Sequence, residues 1–409
     1  MILLGAVLTA ATAAASVSPV PVQGTPSLPT HRGPATAVIR QLRECDGTMY
    51  AAGQFDTILS HRKAYSRHGA FSFSARSPYQ MTSWNPDVHG EVNSIAVAGH
   101  CSRAWLGGTM GLIEVSTGTG RRISSFRPGI RGNVDTVTDW HGHLLVGASF
   151  PGYYYSLNPA TGKHDGFLAG LGIHGSEPPG LYHTKVYNQQ LSPNGKGMLA
   201  EGDFTSVAGR HREQIFMLNL DARHARLTPW YSSDFNGQCV KHESFYIRSA
   251  AWSPDGTHIY TAATGEHALG WEGHSALTGL CDVVAAFPSM WKPVDHVWRN
   301  FTGCDSLYSV AATASTVFAG GHQRWINNRN GCDNAGPRAI PDPGLAGLTT
   351  AGAPELSGGR ARYTMSKANA DDMLITRAGL WIASTNRWGS NKCGPDKGHT
   401  GICLLPRQG

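Results

Sequence analysis

Charge is scarce in this sequence. Asp, Glu, Lys and Arg make up only 15% of its 409 residues, and the formal net charge is +6. The basic residues are spread thinly, without the Lys/Arg run of a nucleic-acid arm, so nucleic acid is not an expected partner. Signatures of chemistry are missing too. There is no G-x-S-x-G elbow, which argues against a common hydrolase arrangement. The 19 histidines include no zincin spacing. His174 near Glu177, and Glu266 beside His267, are the nearest approaches to a metal pair, and neither supplies three ligands. No metal and no cofactor is therefore expected. The apolar run at the N-terminus is too short to span a membrane comfortably, and no other segment is long and apolar enough to do so.

Glycine and proline are plentiful, at 50 and 23 residues. With 41% hydrophobic residues, that mix favours many short strands and tight turns around a substantial core. The N-terminus reads as a leader. Ile2 to Ala15 is apolar and ends in an A-x-A site at Ala13-Ala14-Ala15, although no Lys or Arg precedes it. Residues 1–15 are thus expected to be a signal peptide, and the mature chain to be secreted. Eight cysteines, with no C-x-x-C among them, suit four disulfides in an exported protein.

A small-residue strand recurs seven times. Its copies are Met49–Gly53, Trp105–Gly108, Leu144–Gly147, Met198–Gly202, Ile259–Ala263, Val317–Gly321 and Leu380–Ser384. They lie roughly 40–60 residues apart, which is propeller spacing. An alternating strand precedes each copy, as in Val92–Val97 and Ile247–Trp252, and a third follows, as in Gly111–Val115. A fourth ends near an aromatic and a proline, as at Trp84-Asn85-Pro86 and Pro229-Trp230. Four antiparallel strands per unit make a blade. The expected fold is an all-β, seven-bladed β-propeller occupying 35–409 as a single domain. Its blades begin near Ala35, Glu91, Asn133, His183, Phe245, Asp305 and Asn369. The seventh has room for only three strands. Residues 16–34 are expected to supply its outer strand and close the ring, since an outermost strand tolerates proline.

The cysteines fit this scheme. D–A crossings and B–C loops share one face of a propeller, and the A–B turns share the other. The pairing of Cys45 with Cys101, Cys239 with Cys281, Cys304 with Cys332 and Cys393 with Cys403 satisfies that topology throughout, one of the 105 connectivities that eight cysteines allow.

The segment Gly202-Asp203-Phe204-Thr205-Ser206-Val207-Ala208-Gly209, followed by Arg212–Leu218, resembles the delta-60 repeat of secreted bacterial propellers. Gly53-Gln54-Phe55-Asp56 with Ala70–Phe73 is a weaker copy. Gly320–Asn328 resembles a penultimate-blade motif of such proteins in actinobacteria, and Gly379–Ser384 fits its sequel. The resemblance spans most of the chain beyond Ala35. It implies the fold and export, and no particular activity.

Long B–C loops, including Gln54–His68, Asp203–Gln214, His322–Pro343 and Asn386–His399, point to one face. Residues just after each small-residue strand should ring the channel mouth there. They are Gln54, Asp203, Glu266, His267, His322, Arg324, Trp325, Asn386, Arg387 and Trp388. Aromatic, guanidinium and carboxamide groups together suit a polysaccharide, a peptide or a cell-surface protein. The expected function is a monomeric extracellular binding module. The alternative is an extracellular lyase or hydrolase using His322 or His267 as base. A quinone-dependent dehydrogenase is a more distant option, by fold analogy alone.

Overall fold

The computed structural model describes residues 16–32, 36–176, 183–221, 223–236, 239, 246–265, 279–363, 365, 370–387 and 400–408. Among them the only helix is one 3-10 turn, Ser233–Asn236. Seven of the sheets share one plan, in which an inner strand pairs antiparallel with a middle strand and the middle strand with a third. The inner strands are Val38–Cys45, Val92–Val97, Val134–Trp140, Lys185–Leu191, Tyr246–Trp252, Leu307–Ala312 and Ala370–Thr376. Each packs on the inner strand of the next sheet, and Ala370–Thr376 packs on Val38–Cys45. This is a β-propeller arrangement.

The core lies between sheets. One apolar cluster joins the first sheet to the second, through Tyr50, Trp84, Ile95 and Leu106. Another joins the seventh to the first, through Trp381, Leu404, Leu42 and Phe71. The other junctions are filled in the same way. Tryptophans near the sheet edges reach across these junctions. The Trp84 indole N–H donates to the Ser116 carbonyl, Trp230 to Pro288 and Trp298 to Thr350, each at 2.9 Å. Burying an indole while pairing its N–H adds packing without leaving an orphan donor.

Every inner strand carries a β-bulge at the same place. The extra residues are Arg40, Asn93, Asp135, Tyr187, Arg248, Tyr308 and Asp371. The residue before each bulge faces a small residue on the middle strand: Ile39 faces Gly53, Val92 faces Gly108, Val134 faces Ala148 and Val186 faces Gly202. Ile247 faces Ala263, Leu307 faces Gly321 and Ala370 faces Ser384. The bulge pushes a carbonyl across at these points. A Cβ at Gly53 would meet the Val38 carbonyl oxygen at 2.0 Å, and at Gly321 the Ser306 oxygen at 2.2 Å. The small-residue repeat is thus explained by this close approach more directly than by general crowding at the axis.

The residue after each bulge is polar and often staples two sheets. Ile95 N–H donates to Gln41 Oε1 at 2.7 Å, Val137 N–H to Ser94 Oγ at 3.0 Å and Val310 N–H to Ser249 Oγ at 3.4 Å. Leu42 N–H donates to Asp372 Oδ2 at 2.9 Å, so the junction from last sheet to first uses the same bond as the interior ones.

Among the described residues, two of the seven sheets have a full fourth strand, Ala225–Leu227 and Trp298–Phe301. In four others single bridges hold the outer position, namely Phe73 to Met81, Val115 to Arg122, Leu157 to His164 and Leu348 to Pro354. The expectation of four regular strands per blade is corrected accordingly. Tight turns and prolines such as Pro78 and Pro86 leave too few amides there for a longer ladder.

The N-terminal segment runs antiparallel along Ile402–Pro406. Ser18 N–H donates to Pro406 O, Val22 N–H to Leu404 O and Leu28 N–H to Thr400 O. Val17 and Leu28 are buried. Prolines at 19, 21, 26 and 29 break the pairing into isolated contacts.

Disulfides join Cys45 to Cys101, Cys239 to Cys281 and Cys304 to Cys332, as expected. Cys403 is disulfide-bonded as well. Its expected partner Cys393 lies outside the described residues.

Gly321→Ala should lower stability by about 1–3 kcal/mol, because the new methyl meets backbone at the bulge. Chemical denaturation of the variant measures this. Gly118→Ala, where the only neighbour is the Ser116 hydroxyl at 3.8 Å, is the control expected to show little change.

Candidate functional site

The bulges aim their extra residues at the axis. Arg40, Asn93, Asp135, Tyr187, Arg248, Tyr308 and Asp371 line one cavity of about 260 Å3, together with Lys185, Asp203 and Tyr246. Each of the seven inner strands contributes. The bulges sit near the starts of those strands, beside the ends of the middle strands, so the cavity opens toward the face carrying the long B–C loops.

One side of the cavity alternates rings and cations. Arg248 lies between Tyr246 and Tyr308, its guanidinium carbon 5.1 Å from each ring centre, and its Nη1 donates to the Tyr246 hydroxyl at 2.9 Å. The Lys185 ammonium lies 5.7 Å from the Tyr187 ring centre. Such stacking holds a guanidinium in place while leaving it charged. Burial pushes the Tyr308 phenol up to about 12.

The other side is rich in carboxylates. Asp135 accepts from Ser149 Oγ and Asn133 Nδ2. Burial nonetheless raises it to about 6, because removal from water outweighs those two bonds and the attraction of Lys185. Burial likewise raises Asp371 to about 7, against the pull of Arg40 and Arg248. Its Oδ2 is buried and has no hydrogen-bond partner among the described residues. Arg40 is itself drawn to Glu91 by an ion pair.

The residues singled out from sequence fall into separate groups. Asp203 ends the strand Gly197–Asp203, is buried, and lines the cavity. Gln54 ends Thr48–Gln54 and is exposed. His322 stacks on Tyr308 with ring centres 5.7 Å apart, and its Nε2 accepts from the Ser306 N–H at 3.1 Å. Burial lowers its pKa, with Asp305 opposing and Arg324 adding to the shift. Arg324 forks onto Asp305, with Nε to Oδ2 at 2.8 Å and Nη2 to Oδ1 at 2.7 Å, and also reaches Asp333. Its guanidinium covers the half-buried Trp325 ring at 4.6 Å. Asn386 is buried and ties the N-terminal segment down: its Oδ1 accepts from the Thr36 and Ala37 amides, and its Nδ2 donates to the Pro29 carbonyl. Arg387 forms a bridge with His31. Glu266, His267 and Trp388 lie outside the described residues.

Sequence reading looked to the ends of the middle strands and missed the bulges. A signal was present. In each inner strand an apolar or small residue is followed by two polar or tyrosine positions, as in Ile39-Arg40-Gln41, Val92-Asn93-Ser94, Ile247-Arg248-Ser249 and Leu307-Tyr308-Ser309. Two such residues in succession break strand alternation, and a bulge is the way both can be placed.

Comparison with known proteins places the fold and nothing narrower. No protein-family description matches the chain, and no curated protein does. Among solved structures, U3-55K is similar with a TM-score of 0.52 at 11% identity, covering 94% of this chain and 99% of that one. The WD40 repeats of RRP9 give a TM-score of 0.52 at 10% identity, covering 96% and 100%. At such identities the likeness concerns the β-propeller fold alone. No helix among the described residues is long and apolar enough to cross a membrane.

The raised Asp371 carboxyl predicts a pH signature. Its charged form is disfavoured in the fold, so its cost is absent below the unfolded pKa, about 4, and grows as pH rises through about 7. Asp371→Asn should therefore match the parent in denaturation midpoint at pH 4 and exceed it at pH 8. A constant difference across that range would contradict the assignment.

Proposed function

We propose that this chain is an exported, seven-bladed β-propeller closed by its N-terminal segment, and that it works as a binding module. Seven equivalent inner strands support the blade count. The Leu42 to Asp372 bond, and the pairing of 17–28 along Ile402–Pro406, support closure. The disulfides fit an oxidising compartment, as do the leader-like residues 1–15 and the resemblance to secreted delta-60 propellers.

The ligand is a peptide or a protein loop, seated on the B–C face with one polar group inserted into the axial cavity. The observation that carries this reading is the axial cavity itself, where each of the seven inner strands contributes a polar, charged or tyrosine side chain to the lining. Arg248 and Lys185 across the cavity receive a carboxylate or carbonyl, and Tyr187, Tyr246 and Tyr308 provide rigid walls. A cavity of about 260 Å3 holds a side chain or a chain end, not a whole oligomer. The rest of the contact falls to the loops, where Arg324, Trp325 and Gln54 are placed. Binding is favoured over catalysis because the lone pair of His322 Nε2 is already engaged by Ser306 N–H.

The test is a binding screen of the mature protein against peptide and cell-wall glycan arrays, repeated with Asp371→Asn and Arg248→Gln. A bonded charged group is worth about 1.5–3 kcal/mol, so each variant should weaken a peptide hit by about 10–100-fold. A ligand held at full affinity by both variants contradicts the cavity as anchor. Hits confined to glycans would favour the polysaccharide reading instead.

A further inference from the structure

Away from the axis, the junction between the first two sheets brings two imidazoles and a carboxylate together. His68 is the second residue before the strand Ala70–Ser74, and Asp87 and His89 lie in the crossing that leads to Val92–Val97. One nitrogen of each histidine and an Asp87 oxygen fall within 4.8 Å of one another. His68 Nδ1 lies 2.6 Å from Asp87 Oδ1, and His89 Nε2 lies 3.9 Å from Asp87 Oδ2. The two imidazole rings lie 4.8 Å apart, tilted by 33°. Asp56 brings a further carboxylate oxygen within 3.9 Å of His68 Nε2. Among the described residues this is the one such set of ligand-bearing side chains.

The backbone around the set is held while the side chains stay accessible. Val88 N–H donates to the His68 carbonyl at 3.0 Å, and Gly69 N–H donates to the Phe55 carbonyl at 3.2 Å. Gly69 leaves no room for a side chain, since its Cβ would meet the Val88 oxygen at 2.6 Å. Val88 is buried between His89 and Asp87 in sequence, which turns both neighbours outward. His68 is about a quarter exposed and His89 about three quarters. Water and ions therefore reach the set freely.

We propose that His68, Asp87 and His89 form a binding site for a divalent cation of the zinc type, with water completing the shell. Neutral imidazole nitrogens and a carboxylate are the donors such ions prefer, while magnesium prefers an all-oxygen octahedron. Bond lengths of about 2.0–2.2 Å around a tetrahedral ion set donor atoms about 3.3 Å apart. The observed separations bracket that value, and rotation of the exposed His89 side chain closes the longer one. Binding releases the proton shared between His68 and Asp87. The site lies on the B–C and D–A face. Glu91, two residues beyond His89, pairs with Arg40 of the cavity wall.

The experiment is titration calorimetry of the mature, oxidised protein with zinc chloride, and separately with magnesium chloride. The expected result is a single zinc site and no magnesium site. His68→Ala and His89→Ala should each weaken zinc binding by at least about 10–100-fold. His211→Ala, in a loop of the fourth sheet, should leave it unchanged. His89 is too exposed for its loss to disturb folding, so its variant remains informative if His68→Ala proves unstable. Absence of a saturable zinc site, or zinc affinity unaltered in the His89 variant, overturns the proposal.

Discussion

An inner strand with one residue more than its partner can match is the constraint from which the architecture follows. The extra residue cannot pair, so it turns toward the axis, and the strand twists more strongly at that point. The carbonyl two residues before it then presses on the middle strand, where Gly53, Gly108, Gly202 and Gly321 leave the space. The polar residue after it reaches the next sheet and accepts an amide that the bulge has freed, as Gln41 and Ser94 do. One irregularity thus shapes the small-residue repeat, joins neighbouring sheets and lines the cavity.

The cavity lining runs against what burial alone favours. Carboxylates at Asp135 and Asp371 are held where desolvation raises both, and the Asp371 oxygen lacks a donor. A chain selected only for stability would place apolar or fully bonded groups there. The apolar clusters between sheets and the disulfides on the loops supply the stability that tolerates this lining. Cations stacked on tyrosine, opposite buried carboxylates, form a surface of paired opposite character suited to a ligand with both donors and acceptors.

Much of the fold was legible in the sequence, because repetition multiplies a weak signal. The seven small-residue strands could be counted, and the three disulfides seen joined were among the pairs compatible with which loops share a face. The pairing of residues 17–28 along Ile402–Pro406 was foreseen from a last unit too short for a fourth strand. The outer strands were overestimated, since aromatic-proline endings such as Trp84-Asn85-Pro86 signal an edge without saying how many bonds it makes. The cavity was harder to find. Its residues differ chemically from sheet to sheet, Arg40 here and Tyr308 there, so no side-chain type repeats. What repeats is a backbone irregularity, visible only as two polar or tyrosine residues where alternation calls for one. The set His68, Asp87 and His89 was hidden for another reason: sequence spacing does not show that a loop and a crossing meet.

A diffraction map of the protein would decide whether the bulges line the axis. The expected result is density for Arg40, Asn93, Asp135, Tyr187, Arg248, Tyr308 and Asp371 around a single axial cavity, each at a bulge facing a small residue. Regular inner strands, with these side chains turned into the junctions between sheets, would contradict it.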